Sequence, residues 1–308
     1  MTGDLLMALD TPSLYFRAFY GVPDSVTAPD GSPVNAVRGL LDFIARLVTD
    51  RRPTHLVAAM DADWRPDFRV AAISSYKAHR LAPAGGEEVP DTLVPQVAVI
   101  EEVLDALGIA HFGVAGFEAD DVLGTLATQA PCPVDVVTGD RDLFQLVDDA
   151  RGVRILYTAA KGVGRHDVMD EKAVAEKYGI PGRAYADFAT LRGDPSDGLP
   201  GVPGVGDKTA AALITRYGDL PSLLAALDSG DTAMPAGARL KLAAAREYLT
   251  VAPVVVQVAR DVPLPEYDDR LPGAPRDPER LVELSQRWGL DSPLNRVLTA
   301  LGHAAAAS

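Results

Sequence analysis

The sequence has a single cysteine, Cys132, set between Pro131 and Pro133. One thiol cannot form an internal disulfide, so the chain is expected to fold without covalent staples and to suit a reducing cytoplasm. Its five histidines, His55, His79, His111, His166 and His303, show no metal-ligand spacing, and no His/Cys zinc site is expected. No apolar run approaches the ~18 residues of a membrane span. The opening "MTGDLLMALD" has no basic stretch ahead of its short apolar run, which argues against a signal peptide. Positive charge is scarce as well. Twenty-nine Lys and Arg stand against 43 Asp and Glu, a formal charge of −14, whereas the usual nucleic-acid-binding chain is basic. That deficit has to be read together with where the acids fall.

What is present is an ordinary globular composition, 47% hydrophobic and 23% charged, in 308 residues, enough for one large or two ordinary domains. Short apolar runs at 5–9, 55–60, 109–116, 134–138 and 153–158 read as buried strands. Helical patterns lie between them at 36–49, 93–107, 119–129 and 142–147. Strands alternating with helices predict an α/β domain with a parallel sheet over about residues 1–170. Beyond it the strand runs fade, and helical candidates follow at 171–178, 183–192, 207–217, 220–227 and 236–249. Residues 171–308 are therefore expected to form a helical region. Its stretch 262–278 carries five prolines and reads as a linker before two short helices at 278–288 and 293–302 and a frayed "HAAAAS" tail.

The acids are not scattered. Asp10 follows the first apolar run and Asp61 the second; Glu118, Asp120 and Asp121 follow the third; Asp140 and Asp142, in "TGDRD", follow the fourth. One such acid is unremarked in a turn, and one or two near a helix start gain roughly 0.3–1 kcal/mol each from the macrodipole. Four strand ends in succession deliver acids to the edge of a parallel sheet where functional groups gather. So many carboxylates cannot all stay ionised unaided, because like charges raise one another's pKa. Divalent cations would resolve the repulsion, and oxygen ligands without His or Cys suit Mg²⁺ or Mn²⁺. Two more acids, Asp194 and Asp197, stand in the tight loop "RGDPSDGLPG". With them the acidity of the chain is partly that of a metal site.

The string "GVPGVGDKTA" has the Gly201–Gly206 gap of a phosphate-binding P-loop, but Asp207 precedes Lys208 and Thr209 and no strand leads into it, so an ATPase is excluded. It reads better as a glycine-rich hairpin between two helices, at about 183–217. Its backbone N–H groups and the following helix N-terminus can face a DNA phosphate without reading bases. A basic stretch, "FRVAAISSYKAHR", brings Arg69, Lys77, His79 and Arg80 with no acid, and "LAPAGGEEVP" after it looks mobile. Such a segment beside a carboxylate site could guide a phosphate backbone towards the metals.

Taken together, "MALDTPSLYFRAFY", "DFRVAAISSYKAHR", "GFEADDVLGTLA", "TGDRDLFQLV" and "RGDPSDGLPGVPGVGDKTA" resemble the bacterial 5′-nuclease family, the flap endonuclease-like 5′–3′ exonucleases. The chain is similar to the 5′-nuclease domain of DNA polymerase I standing alone. The resemblance implies a PIN-like parallel-sheet core with an arch or clamp at about 65–92, and a helix–three-turn–helix motif. It implies two, or three, Mg²⁺ or Mn²⁺ ions. Asp10, Asp61, Glu118, Asp120 and Asp140 would serve the first, and Asp142, Asp194 and Asp197 the second, with Asp121 nearby. Lys77, Arg69 and Arg80 would engage the scissile phosphate. Arg17, Gly204, Gly206, Lys208 and Thr209 would contact DNA, and K⁺ would sit at the hairpin. The implied activity is hydrolysis of DNA at 5′ ends, flaps or nicks in replication and repair, with a polymerase and a ligase acting in trans. A PIN-type ribonuclease and an inactive structure-specific DNA-binding protein are the alternatives.

Overall fold

The run Leu6–Asp10 (β1) is buried at every position, as a strand covered on both faces must be. In the computed structural model, which describes residues 3–83 and 85–305, it is joined by β2 (His55–Ala59), β3 (Ala110–Phe112), β4 (Val134–Thr138), β5 (Val153–Tyr157) and β6 (Asp167–Met169). They form one sheet in the order β3-β2-β1-β4-β5-β6, parallel except for β6. Alternate residues serve two cores. Leu6, Ala8, Val57, Ala59, Val134 and Val136 point to one, and Met7, Leu9, Leu56, Ala58, Val137 and Leu156 to the other.

The helices are α1 (Thr11–Gly21), α2 (Asn35–Arg51), α3 (Asp67–Ala72), α4 (Val94–Leu107), α5 (Ala119–Gln129), α6 (Glu171–Tyr178), α7 (Tyr185–Arg192), α8 (Asp207–Tyr217), α9 (Leu220–Asp228), α10 (Ala236–Ala244), α11 (Arg246–Val256), α12 (Pro278–Trp288) and α13 (Asp291–Ala305). The apolar side chains of α5 pack on the first face of the sheet, and those of α7, α8 and α11 extend the same core. Those of α2, α4, α12 and α13 cover the second. The chain reverses direction across the sheet between β1 and β4, and their carboxyl ends open a crevice there.

Several elements differ from the expected ones. Helix α1 was not foreseen. It starts because the Asp10 carboxylate accepts from Ser13 N at 3.2 Å and Pro12 stands in the first turn. The third strand is shorter than 109–116, because after Phe112 the chain presses so close to β2 that a Cβ on Gly113 would lie 2.7 Å from Met60 O. The expected helix at 142–147 is a 3₁₀ turn, Asp142–Leu146. The helical pattern 236–249 breaks at Ala245 into α10 and α11. Edge strand β6 is three residues, too short to show a period.

The C-terminal boundary needs correction. Residues 171–308 do not make one helical region. After α11 the chain returns to the sheet domain, where Leu56 N donates to Asp269 O at 2.7 Å and Leu271 N to Thr54 O at 2.9 Å. Helices α12 and α13 then bury Leu281, Leu284, Leu294, Val297 and Leu301 in the core shared with α2 and α4. His303–Ala305, expected to fray, form the last turn of α13, and 306–308 lie outside the described residues. The stretch 81–90, expected to be mobile, closes on itself through Ala82 N→Gly86 O at 3.0 Å and Glu88 N→Arg80 O at 2.7 Å; Ala84 lies outside the described residues.

Candidate metal centre

At the β1/β4 crevice a cavity of about 390 Å³ is lined by Asp10, Asp61, Glu118, Asp120, Asp140, Asp142, Asp194 and Asp197. Eight of the nine acids singled out in the sequence thus share one space. The strand ends supply six of them directly or through short loops. Asp10 closes β1, and Thr138 Oγ1 at the end of β4 donates to its Oδ2 at 2.6 Å. Asp61 follows β2 and accepts from Ala119 N at 2.7 Å, which ties it to the start of α5.

Asp194 and Asp197 arrive from the other domain through a close backbone contact. Lys77 N donates to Asp197 O at 3.0 Å, and Ser75 Oγ to Gly198 O at 3.0 Å. Gly198 has φ +73, and a Cβ there would lie 2.3 Å from Ser75 O. Only glycine permits both the turn and the approach. On the facing segment Lys77 is held at φ 48, a conformation non-glycine residues seldom adopt. Its ammonium lines the cavity, 2.6 Å from Glu118 Oε1. Local strain at this residue therefore aims a cation into the acid cluster.

The electrostatics are those of carboxylates held too close. Burial pushes Asp10 up to about 7, against the hydrogen bonds from Thr138 and Ser13, with Asp61 and Asp140 adding to the rise. Burial raises Asp120 as well, reinforced by Asp10, Asp140 and Glu118. It raises Asp142, reinforced by Asp140, Asp197 and Asp194. Among the described residues Asp142 Oδ1 is buried with no hydrogen-bond partner. A buried, unpaired carboxylate oxygen facing other acids fits a hard divalent cation in both charge and chemistry. No group of three such side chains among the described residues is already closed around one point. Glu118, Asp194 and Asp197 are each held by a cation of the chain itself instead.

The raised pKa of Asp10 has a direct consequence for the metal-free protein. Its native form binds a proton more tightly than the unfolded chain does. That stabilising contribution is full below about pH 4 and is lost as the pH climbs to about 7. Asp10→Asn is therefore expected to match the wild type near pH 4 in EDTA and to exceed it at pH 7.5 by on the order of 1 kcal/mol or more. Thermal melts at fixed ionic strength read the difference. Equal melting temperatures at pH 7.5 would contradict the assignment.

Two expected site residues are placed elsewhere. Arg69 does not reach the cavity. It is 1% exposed, and its guanidinium contacts Glu118 Oε2 at 2.6 Å and both oxygens of Asp121 at 2.6 and 2.8 Å, so it cannot grip a phosphate. Asp121 likewise does not line the cavity. It is fully buried, and beyond Arg69 it accepts from Ala259 N at 2.7 Å and Glu118 N at 3.2 Å. Of the aromatics nearby, Tyr76 is buried with its hydroxyl 2.8 Å from Glu118 Oε2, whereas Phe16 lines the cavity. Arg80 lines it too, with Nη2 3.0 Å from Asp197 Oδ1. Arg17 lies beside Gly139, and its Nε is buried without a partner among the described residues.

The residues missed were Arg141, whose Nη2 is 2.8 Å from Asp194 Oδ2, together with Thr138 and Glu87. Arg141 stands inside "TGDRD", so its position between two candidate ligands was there to be read.

The hairpin forms between α7 and α8. Val202 and Val205 are buried anchors, while Pro203, Gly204, Gly206, Lys208 and Thr209 face outward. Gly204 takes φ +76, and Gly206 precedes the first turn of α8. The Gly204 carbonyl accepts from Lys241 Nζ at 2.7 Å.

A family model described as 5′–3′ exonuclease, N-terminal resolvase-like domain, matches residues 5–179, and one described as 5′–3′ exonuclease, C-terminal SAM fold, matches residues 180–279. The chain belongs to the 5′–3′ exonuclease family. Within it, a 5′–3′ exonuclease of Streptomyces coelicolor is 64% identical over 96% of this chain and 99% of that protein. A 5′–3′ exonuclease of Mycobacterium tuberculosis is 54% identical over 96% and 97%. The exonuclease fold is shared by the bacteriophage T5 flap endonuclease, solved as a pseudo-enzyme-product complex with DNA and metal ions. It superposes with a TM-score of 0.60 at 16% identity, over 98% of this chain and 99% of that one. No helix among the described residues of this family member is long and apolar enough to cross a membrane.

Proposed function

We propose that the protein is a metal-dependent, structure-specific 5′ nuclease that hydrolyses DNA phosphodiesters at 5′ ends and 5′ flaps. The observation that carries this reading is the convergence of nine carboxylates, the eight expected ones and Glu87, with Lys77, Arg80 and Arg141 in one cavity at the sheet's carboxyl edge. The donor set suits two, or three, Mg²⁺ or Mn²⁺ ions. Asp10, Asp61, Glu118, Asp120 and Asp140 would hold one, and Asp142, Asp194 and Asp197 another. When bound, such ions polarise the phosphate and lower the pKa of a water to make the nucleophile.

The chain's own groups do the rest. Lys77, aimed into the cavity, would stabilise charge on the non-bridging oxygens, with Arg80 beside it and Arg17 binding the strand nearby. The product would carry a 5′-phosphate. At the hairpin, backbone N–H groups, Lys208 and Thr209 would hold a duplex phosphate without reading sequence. A K⁺ ion there would share the Gly204 carbonyl with Lys241. Lys208→Gln is expected to weaken duplex binding equally across sequences and to lower the salt slope by about 1. Fluorescence anisotropy at several NaCl concentrations measures both. A sequence-dependent loss would contradict the role.

This reading places the protein in replication and repair in the cytoplasm, removing primers or flaps, with a polymerase and a ligase acting in trans. The test is cleavage of a 5′-labelled flap duplex, beside a single-stranded RNA of the same sequence, with Mg²⁺ or Mn²⁺ and with EDTA. Metal-dependent cutting near the flap junction is expected. Preference for the RNA would support a ribonuclease, and tight binding without cutting would support an inactive DNA-binding protein.

A further inference from the structure

Each cation at the rim of the cavity is paired with a carboxylate, and one pair is built to come apart. Arg141 Nη2 lies 2.8 Å from Asp194 Oδ2, with the arginine side chain 41% exposed and the aspartate 6%. Asp194 has no free oxygen. Its Oδ1 accepts from Ser196 N at 2.9 Å and from Ser196 Oγ, and its Oδ2 from Arg141 and, at 3.4 Å, from Arg192 Nη2. A divalent ion arriving at Asp194 therefore competes for an oxygen that a cation already holds.

The two arginines are not equivalent competitors. Arg192 is 11% exposed and is tied by its Nε to Gly193 O at 3.0 Å. Arg141 reaches solvent along much of its length and follows Asp140 directly in the chain, so on release its guanidinium stays at the cavity mouth. There its planar fork of donors suits two oxygens of a phosphate.

We infer that Arg141 is an exchangeable counter-ion. It neutralises Asp194 while no divalent ion is bound, and it becomes a phosphate ligand once an ion takes Asp194. This rests on the nuclease reading above and adds to it a residue and a coupling. Metal binding frees the phosphate grip, and by linkage a phosphate that draws Arg141 away tightens the metal. The same layout holds Arg80 on Asp197 and Lys77 on Glu118, which Arg69 also grips, but of the three only Arg141 is both well exposed and bound to a carboxylate that a fixed arginine also holds.

The test is Mn²⁺ calorimetry without DNA on the wild type, Arg141→Gln and Arg141→Lys, followed by flap-duplex binding with EDTA and with Ca²⁺. Arg141→Gln is expected to bind Mn²⁺ about five-fold tighter or more than the wild type. Its metal-stimulated gain in DNA affinity should shrink by a similar factor, and Arg141→Lys should stay near the wild type. Unchanged or weaker Mn²⁺ binding by Arg141→Gln, with the wild type binding normally, would overturn the exchange and leave Arg141 as a support for Asp194. A wild type that binds no Mn²⁺ would overturn it together with the nuclease reading.

Discussion

Asp142→Asn is expected to cut strand cleavage by at least about 100-fold while leaving fold and duplex binding intact. Asp142 is recessed, its Oδ1 has no partner among the described residues, and its carboxyl is raised first by burial and then by Asp140, Asp197 and Asp194. An oxygen so placed is costly to the metal-free fold, so its value has to lie in what it binds. Asparagine keeps the shape and removes the charge. The change relieves repulsion rather than creating it, and the melting temperature without metal should not fall. Loss of cleavage then cannot be attributed to unfolding. Single-turnover cleavage of a flap duplex at saturating Mn²⁺, paired with binding in EDTA, reads both halves. A variant within about threefold of the wild type in rate would remove Asp142 from the site.

The second large effect is on stability. Arg69→Ala is expected to destabilise the protein by about 3–5 kcal/mol, because it leaves Glu118 and Asp121 as buried charges without their guanidinium. Arg69 joins α3 to α5 and, through Nε→Val255 O at 3.1 Å, to the end of α11. Asp121 extends the same tie to Ala259. Removing the arginine thus loosens both domains where they meet behind the metal site. A fall in melting temperature on the order of 10 °C follows for a chain of this size. Arg69→Ala combined with Asp121→Asn should recover part of it, since one of the stranded charges is then removed. Calorimetry checks both variants. An Arg69→Ala variant as stable as the wild type but defective in cleavage would restore the phosphate-clamp role that the geometry denies.

The strand-end acids were legible because two sequence signals agree, a buried apolar run and the acid that ends it. What the sequence did not settle was phase. Asp120 and Asp121 are adjacent in "EADD", but successive residues on a helix point about 100° apart. Asp120 faces the cavity and Asp121 faces the core, where Thr125 one turn later is also buried. A buried aspartate requires a buried cation, and that cation is Arg69. Reading "FRVAAISSYKAHR" as one basic face hid the fact that its first arginine was already committed. Lys77 and Arg80 kept their expected place because their segment docks on the Asp194–Asp197 loop. The destination of α12 and α13 depends on contacts with α2 and α4 more than a hundred residues away, which no local pattern reports. Edge strand β6 is too short to show one.

The central claim is that the eight carboxylates around the crevice hold the ions that cut the strand. Anomalous diffraction from crystals soaked in Mn²⁺ tests it most directly. The account predicts at least two peaks within the cavity, one against Asp10 and Asp120 and one against Asp142 and Asp194. No Mn²⁺ in that cavity, in protein that cuts flap DNA under the same ionic conditions, would contradict it.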